Sequence, residues 1–139
     1  MVLEEVGESC VVLQNNSETL SNEIKTLVQP VMEMAAKLNR ATIVRKGIVD
    51  VISNGQYSAI VAEKGSLKRC GGQGDVLCGV LATFASYKKE NTTPLFEAIA
   101  SCVVTRWAGR EAFNIKGRCL VTPDVIDIGL LHAMNSIDI

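Results

Sequence analysis

Three glycines fall within four residues at Gly71, Gly72 and Gly74, followed at once by Asp75 and then by the apolar residues Val76, Leu77, Val80, Leu81 and Phe84. The offsets of those apolar residues trace one face of a helix. A glycine cluster placed directly before a helix constrains this chain more than any other stretch. Without side chains the backbone can turn its N–H groups inward, and the helix start adds its own unpaired donors and the positive end of its dipole. The stretch is therefore a candidate anion cradle, with Lys64, Lys68 and Arg69 upstream as sources of positive charge. The competing reading is a plain glycine-rich turn with an acidic residue in the first helical turn, where Asp is favoured for dipole reasons alone. Spacing weighs these two readings about evenly.

Neither of the two best-known phosphate-binding glycine motifs fits. The Walker pattern requires Lys followed by Ser or Thr after its last glycine, and Asp75 and Val76 stand there instead. The dinucleotide fingerprint requires a third glycine at position 77, which is Leu77.

The rest of the chain reads as an α/β protein. Cys10 to Leu13 is a short apolar run suited to a buried strand. From Ser17 a helical stripe follows, through Leu20, Ile24, Leu27, Val28, Val31, Met34, Ala35 and Leu38, and reads as a core face. Pro30 interrupts the stripe, either by opening a second helix or by kinking one. Ala41 to Arg45 reads as a buried strand. Asp50 to Ser53, Asn54-Gly55 and Gln56 to Ala62 form a hairpin signature, since Asn-Gly suits a tight turn with positive backbone angles. The helix after the glycines is expected from Asp75 to about Lys89. A second helix opens at Pro94 with Leu95, Ile99, Cys102 and Val103 on one face, extended by Trp107 and Phe113. Asn114 to Arg118 reads as a loop, and Thr122-Pro123-Asp124 as N-cap, first-turn proline and first-turn acid of a last helix running to about Met134. No linker or repeat divides the 139 residues, so one domain is expected.

Composition removes several function classes. A net charge of −1 with 4% aromatic residues offers neither a basic field nor a stacking surface for nucleic acid. Five cysteines, Cys10, Cys70, Cys78, Cys102 and Cys119, are odd in number and lack metal-ligand spacing, which points to free thiols in a reducing compartment and to no protein-held metal. The single histidine, His132, reads as a surface or cap residue rather than a base. No apolar run is long enough to span a membrane, and the acidic N-terminus resembles no leader, so a cytoplasmic protein is expected, with a mitochondrial form left open.

Beyond spacing, the residues themselves carry a resemblance. Ile43-Val44-Arg45-Lys46-Gly47, Asp50-Val51-Ile52-Ser53-Asn54-Gly55 and above all Arg69-Cys70-Gly71-Gly72-Gln73-Gly74-Asp75-Val76-Leu77 resemble the eukaryotic ATP-dependent NAD(P)H-hydrate dehydratases of the ribokinase-like superfamily. Thr105-Arg106 and Gly117-Arg118 extend the likeness, which runs from about Ala41 to Ile128. The resemblance implies a three-layer α/β/α fold, of which this chain looks like an N-terminally truncated, C-terminal portion. It implies ATP and Mg²⁺ as cofactors, hydrated NADH or NADPH as substrate, and leaves homo-oligomerisation open.

For the site, the resemblance implies catalytic roles for Asp75, Gly72, Gln73 and Gly74, with Asp75 also touching the hydrate. ATP contacts are implied for Lys46, Gly47, Ile48, Val49 and Asp50, and for Gly65, Ser66, Leu67, Lys68, Arg69, Cys70, Gly71, Gly72, Gln73 and Gly74. A related small-molecule kinase, or a catalytically silent nucleotide-binding fragment, are the alternatives.

Overall fold

The computed structural model describes residues 4–5, 10–14, 21–87 and 92–136. It divides into two compact units, one formed by Met1–Ala62 with Thr93–Ile99 and the other by Glu63–Thr92 with Ala100–Ile139.

The first unit is a five-stranded sheet with a helix. Its strands are β1 (Glu4–Glu5), β2 (Cys10–Gln14), β3 (Ile43–Arg45), β4 (Asp50–Ser53) and β5 (Tyr57–Val61), in the order β1-β2-β5-β4-β3, and every neighbouring pair is antiparallel. Strand alternation sends Val51, Ile60 and Leu13 to one face. There they meet Val28 and Val31 of helix α1 (Asn22–Lys37), with Val11, Ile24, Leu27 and Ile43 packed around them. The alternate residues Ile52, Ala59 and Val61 are also fully buried. Strand β4, which lies next to the edge strand β3, is therefore covered on both faces.

Several expectations are met here and some are corrected. The strand at Cys10 is present. Pro30 lies inside a single helix, and the Arg45 guanidinium, one strand away, donates to the Leu27 carbonyl in the turn before the proline (2.8 Å). The proposed core stripe is only partly core: Val28, Val31 and Ala35 are buried, whereas Met34 and Leu38 are each 54% exposed. Leu20 and Ser17 lie outside the described residues, and Ser21 caps the helix through its hydroxyl. The strand expected at Ala41 to Arg45 begins at Ile43 and is half-buried, because it is an edge strand with a neighbour on one side only.

The β4–β5 hairpin is present with its turn at Asn54-Gly55. Gly55 alone takes a positive φ (+84°), while Asn54 acts through its side chain, accepting the N–H groups of Gln56 and Tyr57. A Cβ on Gly55 would stand 3.2 Å from the backbone nitrogen of Ala36, so the turn also needs glycine to pass helix α1.

The second unit is helical. It holds α2 (Gln73–Ser86), the greater part of α3 (Pro94–Lys116), a 3-10 turn (Gly117–Cys119) and a last helical run made of α4 (Thr122–Asp124), a π-helical stretch (Val125–Leu130) and α5 (Leu131–Ser136). Its core gathers Val76, Ala108, Ala112, Leu120 and Val125, with Cys70, Val80, Phe113 and Leu130 around them. Pro94 opens α3 as expected, but the helix continues through the Asn114 region to Lys116. Gly117, at φ +55°, then turns the chain. Lys88 and Lys89, the expected end of α2, lie outside the described residues. Among the described residues no helix is long and apolar enough to cross a membrane.

Candidate functional site

The glycine stretch sits in the second unit, held by contacts that begin at the chain leaving β5. Arg106 and Arg110 stand one helical turn apart on α3 and both reach back to Glu63. Arg106 donates to the Glu63 carbonyl oxygen (3.2 Å), and Arg110 pairs with the Glu63 carboxylate while also contacting Glu111. Ser66 folds its hydroxyl over the next turn, accepting the Lys68 N–H (3.0 Å) and donating to the Lys68 carbonyl (2.8 Å). The turn lies against α3 at Gly109, where a Cβ would meet that of Ser66 at an ordinary contact distance of 3.6 Å.

Lys68, expected as a source of charge for a phosphate, has structural work to do. Its ammonium donates to the carbonyl oxygens of Arg118 (2.7 Å) and Leu120 (2.8 Å). Lys64 and Arg69 are exposed, and Leu67 is 89% exposed. Cys70 packs on the core, and its sulfur accepts the Gln73 side-chain amide (3.4 Å).

Gly72 takes φ +88° and forms the N-cap of α2, which begins at Gln73, two residues before the expected start. Its carbonyl accepts the N–H groups of Asp75 (3.0 Å) and Val76 (3.1 Å), closing the first turn. Among the described residues no protein acceptor takes the N–H groups of Gly72, Gln73 and Gly74. These are the orphan donors of a helix start. Cβ atoms placed on Gly71 and Gly74 would meet nothing within 4 Å, so the space over the loop is open. Asp75 is exposed one residue further on, and its carboxylate makes no hydrogen bond or ion pair among the described residues.

The arrangement combines unpaired donors at the positive end of a helix with a free carboxylate beside them. It suits binding an anion and orienting a hydroxyl next to it.

The other predicted segment, Lys46 to Asp50, spans the loop between β3 and β4 and the first residue of β4, in the first unit. Lys46, Gly47 and Ile48 are exposed, Ile48 by 90%. Asp50 is buried and accepts the Gly47 N–H (3.2 Å), which shapes the loop. A Cβ on Gly47 would stand 2.9 Å from the Val49 carbonyl oxygen, so glycine is required by that turn. None of the five cysteines forms a disulfide, and among the described residues no group of three or more His, Cys, Asp or Glu side chains converges on a point. His132 is exposed on α5.

Sequence reasoning missed the part of the site that comes from the C-terminal run. Thr122 is not the N-cap of the last helix; Val121 is, its N–H accepted by the Asp124 carboxylate (3.0 Å). Lys116 adds an ion pair to Asp124 (3.3 Å). These contacts, the Val121 N–H foremost, hold the Asp124 carboxyl below the usual aspartate value. The Thr122 hydroxyl is thereby free to donate to the Gly71 carbonyl.

The sequence profile of the family described as NAD(P)H-hydrate dehydratase matches residues 13–129, which include the whole glycine stretch. Among curated proteins, the ATP-dependent (S)-NAD(P)H-hydrate dehydratase of Ciona intestinalis is 40% identical over 119 residues, covering 81% of this chain and 33% of that protein. The protein of the same name from Entamoeba histolytica is 41% identical over 103 residues (70% of this chain, 34% of that protein). That of Homo sapiens is 36% identical over 104 residues (69% and 30%). The chain thus spans about one third of the length of the curated relatives it matches.

Proposed function

The chain belongs to the NAD(P)H-hydrate dehydratase family, and from that premise we propose that it serves the ATP-dependent dehydration of hydrated NADH and NADPH back to the normal cofactors. The relatives carry that activity in their names. The observation that carries the reading to these residues is the exposed Asp75 carboxylate, unpartnered among the described residues, directly after three N–H groups that no described protein acceptor takes.

The reaction has two stages. The hydroxyl of the hydrated nicotinamide ring attacks the γ-phosphorus of ATP, an O–P bond forms, the bond to the β-phosphate bridge breaks, and ADP leaves. The ring C–O bond then breaks with loss of a proton from the adjacent carbon, releasing phosphate and restoring the ring double bond. The oxygen of the added water leaves in the phosphate.

Phosphoryl transfer of this kind calls for charge stabilisation and an oriented nucleophile more than for a covalent intermediate. In this reading the backbone N–H groups of Gly72, Gln73 and Gly74 receive the oxygens of the moving phosphoryl, and Asp75 accepts the hydroxyl proton and holds the hydrate. The segment from Gly65 to Gly71 shapes the loop. Lys46, Gly47, Ile48, Val49 and Asp50 are proposed as further nucleotide contacts on the strength of the family likeness alone.

Mg²⁺ suits a site with one free carboxylate, since it usually arrives on the nucleotide phosphates and keeps several waters rather than using an all-protein cage. It would neutralise phosphate charge there. The 139 residues are proposed to be a portion of one ribokinase-like, three-layer α/β/α domain.

The test is product analysis with hydrated NADH and ATP. Recovered reduced-nicotinamide absorbance with release of one phosphate per turnover is the expected result. A phosphorylated metabolite that accumulates without recovery would contradict dehydration and favour a kinase.

A further inference from the structure

We propose that Thr122 is a positioning residue for the phosphate-receiving loop, setting the direction of the Gly72 N–H by holding the carbonyl of the same peptide. The inference rests on the nucleotide reading above. Its premise is geometric: in a trans peptide the C=O and the following N–H point in opposite directions. The Thr122 hydroxyl donates to the Gly71 carbonyl, so the Gly72 N–H is turned away from Thr122, and no group among the described residues accepts it.

An anchor of this kind is needed because of Gly72. A residue without Cβ at φ +88° allows the preceding peptide to rotate, and the rotated form would present the Gly71 carbonyl where a phosphate oxygen is to bind. Two negative partial charges would then face each other. The Thr122 hydroxyl opposes that rotation by satisfying the carbonyl, and the Thr122 methyl, 3.2 Å from where a Cβ on Gly72 would stand, leaves little room for any side chain there.

Thr122 can do this because its own backbone is fixed. Pro123 presets the first helical turn, the Asp124 carboxylate accepts the Val121 N–H, and Lys116 pairs with Asp124. On the near side, Lys68 joins the loop to the carbonyls of Arg118 and Leu120. The loop and the 118–124 segment are thus tied at two points within the second unit, fifty residues apart in sequence.

The experiment is an ATP titration of the isotopically labelled chain, following backbone amide resonances, with the unchanged protein, Thr122→Val, Thr122→Ala and Thr122→Ser. In the unchanged chain ATP should shift the amides of Gly72, Gln73 and Gly74. Val should lose the Gly72 response and weaken ATP binding about tenfold, the scale of one charge-assisted hydrogen bond, while amides remote from the loop keep their positions. Ala should behave like Val, and serves in its place if Val fails to fold. Ser, which keeps the hydroxyl, should restore the Gly72 response. ATP binding by both Val and Ala at the unchanged affinity, with the Gly72 response intact, would overturn the positioning role and leave the nucleotide reading standing. Failure of the three amides to respond in the unchanged chain would overturn both.

Discussion

Gly129 lies so close to the backbone of Ala108 that a Cβ built on it would stand 2.1 Å from the Ala108 carbonyl oxygen. The π-helical stretch and α3 touch there main chain to main chain, and neither backbone can yield without moving the buried Val125 and Ala112 beside them. Gly129→Ala should therefore destabilise the fold by about 3 kcal/mol, the upper range for overpacking a core. A urea unfolding midpoint that does not move would contradict this contact.

Gly74 presents the opposite case. It lies in the first turn of α2, takes no positive φ, and its Cβ would meet nothing within 4 Å, so the fold itself does not require glycine there. Gly74→Ala should leave stability unchanged or raise it by up to about 1 kcal/mol through helix propensity. The added methyl would stand over the loop where phosphate oxygens are to approach, and ATP affinity should fall at least about tenfold. Thermal unfolding and calorimetric titration of the same preparation check both halves. Loss of stability with ATP affinity kept would reverse the argument.

The contrast between these two glycines shows what was legible in the sequence. The loop, the following helix and Asp75 form one contiguous stretch, so a glycine turn opening a helix with Asp75 in its first turn could be read from residue order alone. The hairpin at Asn54-Gly55 was legible for the same reason, as was the start of α3 at Pro94. What stayed hidden depends on residues far apart in sequence. Thr122 was visible as a helix-start signal, but its hydroxyl serves Gly71, and no local pattern reports a contact across fifty residues. Lys68 was read as free charge because its carbonyl partners at Arg118 and Leu120 are main-chain atoms that carry no sequence signature. Met34 and Leu38 fit the helical period, yet Ala35, directly after Met34, is fully buried, so periodicity marks which face is apolar but not how wide a strip of it is covered.

Asp124 links the site's support to pH. Its folded-state carboxyl is held below the ordinary aspartate value by the Val121 N–H and then by Lys116. The unfolded chain therefore takes up this proton at a higher pH, about 3.9, than the folded one. The stabilisation is complete above the unfolded value and is lost as pH falls through the lowered folded value. Asp124→Asn should be less stable than the unchanged protein near neutral pH, with the two unfolding curves converging in strong acid. A stability gap that persists unchanged to the lowest pH at which both fold would show that the charge plays no part.

The most direct test of the account concerns Asp75, the exposed carboxylate at the head of α2. Asp75→Asn removes the charge and the proton acceptor at nearly constant volume, leaving the Gly72, Gln73 and Gly74 donors in place. The measurement is the rate of ATP-dependent recovery of NADH from its hydrate, with the variant compared to the unchanged protein at saturating ATP. The account predicts a fall of at least about a hundredfold, the lower bound for removing a general base. A variant that turns over hydrate at the unchanged rate would contradict it.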